Sequence, residues 1–71
     1  MNNTDRRVRI GKAIASARMR KGLSQRQLSE LTGYNHSNIA KIETGRYNVS
    51  IDILSAICAA LGVEVQIVDA E

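Results

Sequence analysis

Residues 23–33 read LSQRQLSELTG, and residues 34–45 follow at once with YNHSNIAKIETG. Taken together the two stretches have the apolar spacing of an amphipathic helix, yet Gly33 interrupts it. An ordinary link between two helices needs turn residues, but it does not need Tyr34, Asn35, His36, Ser37 and Asn38 in a row. The reading of this junction decides the fold.

The first stretch carries its own start signal. In Ser24-Gln25-Arg26-Gln27 a serine is followed three residues later by glutamine, so each side chain can satisfy the other's free backbone donor. Leu28 and Leu31 are expected to supply the buried face, and Gly33 ends the helix after about two turns. Asn35 then caps a second short helix over residues 35–44, with Ile39 and Ile42 inward and Gly45 at its close.

Working outward, Ile10, Ala13, Ile14 and Ala17 recur at spacings of three and four, which predicts an earlier helix over residues 7–21 stopped by Gly22. Downstream, Ser50 caps a helix marked by Ile53, Leu54, Ile57 and Leu61 and stopped at Gly62. Residues 1–6 are expected to form a flexible tail, and residues 7–62 the domain. The fold class is all-α: a compact domain of four to five helices.

After Gly62 the pattern changes. In VEVQIVD the apolar residues Val63, Val65 and Ile67 alternate with Glu64 and Gln66, and β-branched residues dominate. Residues 63–71 therefore read as a short C-terminal β-strand. No other segment reads as a strand, so the simplest neighbour is the same segment of a second copy, paired antiparallel across a two-fold axis. The alternative is an extended tail lying unpaired against the helices.

Composition narrows the function. A chain of 71 residues supports one domain and buries only about 60% of its unfolded surface, which makes association with a second copy a useful source of stability. The one cysteine, Cys58, excludes an internal disulfide, and with His36 the only histidine there is no spaced cluster for a metal. Cys58 reads as a small core residue. No apolar run approaches the roughly 18 residues that span a bilayer, and the start MNNTDRR lacks the apolar middle of a secretory signal, so the expected location is the cytoplasm, at the nucleoid. Without a carboxylate pair at useful spacing or a glycine-rich phosphate loop, no catalytic residue and no cofactor is assigned, and an enzyme is not expected.

The net charge of +3 is unevenly spread. Seven of the ten basic residues (Arg6, Arg7, Arg9, Lys12, Arg18, Arg20, Lys21) lie in the first 21 positions, whereas Glu64, Asp69 and Glu71 gather at the end. Such asymmetry suits a molecule with one face toward a polyanion, although a solvated basic helix face has the same composition.

Two short helices joined through a glycine-containing turn, with Leu28, Leu31, Ile39 and Ile42 as core, match the helix-turn-helix pattern, whose second helix lies in the major groove of DNA. On that pattern Asn35, His36, Ser37 and Asn38, with Lys41 one turn on, face base edges and phosphates. Hydrogen-bond donors on His, Ser and Lys suit N7 and O6 of guanine.

Residues 10–63 resemble the lambda-repressor-like, XRE-type helix-turn-helix family of bacterial and phage regulators. The string LSQRQLSELTG has the family's habitual form, with Gln25 opening the second helix, Ser29 where the two helices touch, and Gly33 in the turn. IAKIETGRYNVS resembles its I-x-x-I-E-x-G-[KR]-x-x-P-S segment, and LSAICAALGVE the end of its last core helix. The resemblance implies that Gln25 contacts a phosphate and braces the recognition helix, that His36 and Ser37 read bases, that Lys41 meets a base or phosphate, and that Arg46 meets the backbone. Tyr47 joins this set as a loop residue, reading equally as a packing residue, as does Tyr34. The resemblance also implies an ion pair between Arg18 and Glu43, structural in role. His36-Ser37 departs from the glutamine-rich pairs common at those positions, so no operator sequence carries over, and Val49 stands where proline is common.

Two functions of different class follow. One is a dimeric, sequence-specific repressor on double-stranded DNA. The other starts from LGVEVQIVDAE, which is similar to the C-terminal strand of HipB-type antitoxins: a protein that holds a toxin partner, of HipA kinase type, and regulates its own promoter. A third possibility, an adaptor module without DNA contact, sits poorly with the basic first helix and the polar recognition face.

Overall fold

The computed structural model describes residues 2–70, which form four helices: α1 (Asn3–Arg20), α2 (Gln25–Thr32), α3 (His36–Glu43) and α4 (Ile51–Ala60). Every helix starts at a residue whose side chain accepts a backbone N–H of the first turn: Asn2 from Asp5, Ser24 from Gln27, Asn35 from Ser37 and Ser50 from Ile53. These bonds satisfy donors that the helix itself leaves open. At Ser24 the arrangement is reciprocal, with Gln27 N donating to Ser24 Oγ at 3.0 Å and Ser24 N donating to Gln27 Oε1 at 2.8 Å.

The first helix begins at Asn3, so the flexible tail expected over residues 1–6 is, where described, mostly helical. The cap at Asn2 and the carboxylate of Asp5 in the first turn, near the positive end of the helix dipole, account for the earlier start. Met1 lies outside the described residues.

The core is built from Ile14, Ala17, Leu28, Ile39, Ile42, Ile57 and Leu61, with Leu28, Ile39, Ile57 and Leu61 completely enclosed. Helix α3 packs on α1 and α2, and α2 also touches α4. Leu31 does not join this core: it is 61% exposed, contrary to the expectation from its spacing. A helix turns about 100° per residue, so Gln25, Ser29 and Thr32 share one flank of Leu28 and Leu31 falls on the other. The neighbouring helices cover the first flank, where Gln25, Ser29 and Thr32 are half-buried. For the same reason Ile10 and Ala13 stay exposed on α1, while Gly11 is buried.

Gly11 is the one glycine inside a helix, and α1 needs its lack of a side chain. A Cβ there would sit 2.4 Å from the carbonyl oxygen of Ile42 and 2.6 Å from that of Glu43. One turn earlier, Val8 lies against Gly45 in the same way. Backbone therefore meets backbone where α1 crosses the end of α3.

Among the described residues there is no strand. Residues 63–70 carry no regular structure, because a strand exists only in a ladder and a single chain has no second extended segment to supply one. Glu71, the last residue of the expected strand, lies outside the described residues.

Cys58 is buried on α4, and desolvation pushes its thiol above the ordinary range. A maleimide at neutral pH is expected to label the folded protein far more slowly than the unfolded chain, since thiolate is the reactive form. Equal rates in buffer and in denaturant would show that Cys58 is not packed in the core.

Candidate nucleic-acid interface

Orientation of α3 is set by a polar cluster at its C-terminal end. The guanidinium of Arg18 donates from Nε to Glu43 Oε2 at 2.7 Å and from Nη2 to Glu43 Oε1 at 3.0 Å, and its Nη1 donates to the carbonyl of Leu23 at 2.8 Å. This is a two-pronged pairing with only 14% and 5% of the two side chains exposed. The hydrogen bond and charge of Glu43 raise the Arg18 pKa above its ordinary value. Gln25, the first residue of α2, joins the cluster by donating Nε2 to Glu43 Oε1 at 3.0 Å. Glu43 thus ties α1 and α2 to the end of α3, and Arg18 adds the turn before α2.

At the other end of α3, the turn is held by side chains of α2. Gly33 adopts φ +77°, the left-handed conformation that closes α2, and its N–H donates to the carbonyl of Ser29 at 2.8 Å. The Ser29 hydroxyl donates to the carbonyl of Tyr34, while Thr32 Oγ1 donates to the carbonyl of Leu28 and accepts from Tyr34 N. Tyr34 packs against the core. The chain therefore enters α3 along one path, and the residues that follow project from a fixed base.

From that base His36, Ser37 and Lys41 are exposed, as is Asn35 at the cap, and Asn38 is half-buried on the side of the helix. Asn35 and Ser37 are already engaged with each other. Asn35 Oδ1 accepts from Ser37 N at 2.8 Å and from the Ser37 hydroxyl at 2.7 Å. The donors turned outward are then the Nδ2 group of Asn35, the imidazole of His36 and the ammonium of Lys41, and Ser37 presents an acceptor unless its hydroxyl leaves Asn35. Arg46 is exposed just past the helix, its N–H bonded to the carbonyl of Lys41 at 2.8 Å. Tyr47 is half-buried and packs against the core cluster, as its packing reading has it.

Exposed Lys41 and Arg46 add positive charge to this polar surface. Among the described residues no group of three or more His, Cys, Asp or Glu could hold a metal ion, and no helix is long and apolar enough to cross a membrane. Elsewhere on the molecule, Val63 and Val65 border a cleft with Ile10, Ala13 and Leu54, and Ile67 stands fully exposed. Two contributions to this geometry carry weak sequence signals: the bond from Gln25 to Glu43, which joins residues 18 apart, and the close approach at Gly11, whose signal is a glycine inside an otherwise regular helical stretch.

Known proteins share this arrangement. The Helix-turn-helix family matches residues 14–68. The immunity repressor protein of Bacillus phage phi105 is 37% identical over 62 residues, covering 87% of this chain and 43% of the repressor. The HTH-type transcriptional regulator PuuR of Escherichia coli is 34% identical over 59 residues, covering 83% of this chain and 32% of PuuR. The chain thus spans less than half the length of either relative. Among solved structures, the restriction-modification controller protein C.AhdI from Aeromonas hydrophila superposes with a TM-score of 0.82 at 33% identity, over 84% of this chain and 91% of that one. The clp gene regulator ClgR from Corynebacterium glutamicum gives 0.81 at 36% identity, over 83% of this chain and 76% of ClgR. These matches are regulators, not enzymes, and they cover both the helix-turn-helix and the helices that support it: the chain belongs to the XRE-type helix-turn-helix family of DNA-binding domains.

Proposed function

We propose that the protein is a sequence-specific transcriptional regulator that acts as a dimeric repressor, placing α3 in the major groove of a pseudo-palindromic operator. The observation that carries this reading is the set of exposed polar residues at the start of α3, His36 and Ser37 with Asn35 at the cap, held by a turn and an ion pair that leave the helix one orientation. His36 and Ser37 are the base-reading residues. Lys41 and Arg46 meet phosphates, and the N-terminus of α2 at Gln25 offers a further phosphate site through its free N–H groups. Gln25 can serve this role and bind Glu43 together, because its amide carries two N–H donors.

The dimer reading is supported by the tail. Val65, Ile67 and Val68 are 56%, 100% and 76% exposed, a cost that pairing two tails across a two-fold axis would remove. Two copies would set their α3 helices about 34 Å apart, in successive major grooves. The test is selection from a random duplex library at about 150 mM salt, an ionic strength at which nonspecific contacts are weakened. A recovered palindrome with half-sites one helical turn apart supports operator and dimer together. Retention with no enriched sequence would remove the specific-regulator reading, and a pull-down for a toxin protein would then test the antitoxin alternative.

His36→Ala is expected to relax preference at one base pair by about 1–3 kcal/mol while leaving the other positions unchanged. Competition binding with single-base operator variants measures this. A uniform loss across all variants would assign His36 to the backbone instead.

A further inference from the structure

We infer that Lys12, on α1 and outside the helix-turn-helix, is a phosphate contact that extends the DNA-binding face along the flank of α3. The inference rests on the DNA-binding reading given above.

The argument begins at Gly11. A Cβ at Gly11 would lie 2.4 Å from the carbonyl oxygen of Ile42, and one at Gly45 would lie 2.6 Å from Val8 Cγ2 and 2.8 Å from Val8 N, so the two glycines let α1 approach the end of α3 closely along this line. Helices normally sit 8–10 Å apart, held off by side chains, so this crossing is close. Residues that flank the contact on α1 must therefore emerge beside α3 itself.

Which residues those are follows from the 100° step of the helix. Ile14 and Ala17, both buried in the core, lie to one side of the line through Gly11 and Val8. Lys12 lies to the other side, and is exposed. On α3 the direction away from the core is the face of Ser37 and Lys41, opposite the buried Ile39 and Ile42. Lys12 and the recognition face thus open toward the same side of the molecule. Arg9 follows on the same flank of α1, and Asp5, the one acidic residue there, lies further back near the helix start.

Electrostatics gives the position a purpose. The last carbonyls of α3 carry the negative end of its dipole, and a DNA strand passing this end would meet that partial charge. Glu43 is neutralised internally by Arg18. Lys12, exposed and next in sequence to the Gly11 that meets the carbonyls of Ile42 and Glu43, supplies the positive charge that makes the edge attractive to phosphate.

The test is fluorescence anisotropy with a selected duplex and an unrelated duplex, over salt from about 50 to 300 mM, for wild type, Lys12→Ala, Lys12→Arg and Lys41→Ala. Lys12→Ala is expected to weaken both duplexes by a similar factor and to lower the slope of log affinity against log salt by about 0.9, with base preference unchanged. Lys12→Arg is expected to restore the slope. Folding is not at issue, since Lys12 is exposed within a helix and alanine favours that state; a circular-dichroism melt verifies it. An unchanged slope in Lys12→Ala, beside a lowered one in Lys41→Ala, would overturn the assignment of Lys12 alone. A wild type that binds neither duplex would overturn it together with the DNA-binding reading.

Discussion

Arg18→Met is expected to lower the unfolding free energy by about 3–5 kcal/mol. The reason is what it leaves behind. Glu43 is 5% exposed and receives two hydrogen bonds from Arg18; without them its carboxylate keeps only the bond from Gln25 and stays away from water. Leu23 also loses the donor on its carbonyl. A surface ion pair would be worth about 1 kcal/mol or less, so the size of the loss measures how far burial governs this pair. Urea titrations at fixed protein concentration are the measurement, because dimerisation would otherwise shift the midpoint. The double variant Arg18→Met/Glu43→Leu separates the stranded charge from the lost packing: it is expected to be more stable than Arg18→Met alone, since the buried charge is gone. A double variant as unstable as the single one would assign the loss to packing of the arginine stem.

Gly45→Ala is expected to cost about 2–4 kcal/mol, and Gly33→Ala only about 1–2. Both glycines have φ near +78°, so an alanine at either meets the same backbone strain. They differ in surroundings. Around Gly33 no atom lies within 4 Å of the added Cβ, whereas at Gly45 the backbone N and Cα of Val8 lie at 2.8 and 2.9 Å. Backbone cannot swing aside as a side chain can, so α1 must move off the end of α3. The difference between the two variants, read from paired denaturation curves, isolates the helix contact from the turn strain. Equal losses would remove the close contact from the account, and with it the support for Lys12 beside α3.

How much of this could be read from the residues alone depends on the range of the interactions. The caps at Ser24, Asn35 and Ser50 join residues two or three apart, and each helix end at Gly22, Gly33, Gly45 or Gly62 depends on one residue's own φ. Such local terms are written in order along the chain, so four helices and the turn between α2 and α3 were legible. The burial of Leu28, Ile39, Ile42, Ile57 and Leu61 follows from spacing for the same reason. Leu31 shows the limit. Its spacing from Leu28 places it on the apolar stripe of α2, yet the neighbouring helices cover the flank of Gln25, Ser29 and Thr32 instead, which spacing along one helix does not show. The start of α1 was missed because a cap at Asn2 adds little signal to a polar, charged opening.

The candidate site divides in the same way. The polar run after Gly33 was visible, as was the match of Gln25, Lys41 and Arg46 to family positions. That Ser37 spends its hydroxyl on Asn35, and that Gln25 turns its amide to Glu43, depends on geometry a few ångströms wide. By itself, then, the sequence determined the four helices, all their ends but the start of α1, and the family, because each rests on local conformation or on a pattern along the chain. Only the tertiary structure decided that a single buried carboxylate ties α1 and α2 to the end of α3, and that Gly11 and Gly45 bring α1 against the end of α3, because those contacts join residues 18 to 37 apart through space and leave no periodic mark.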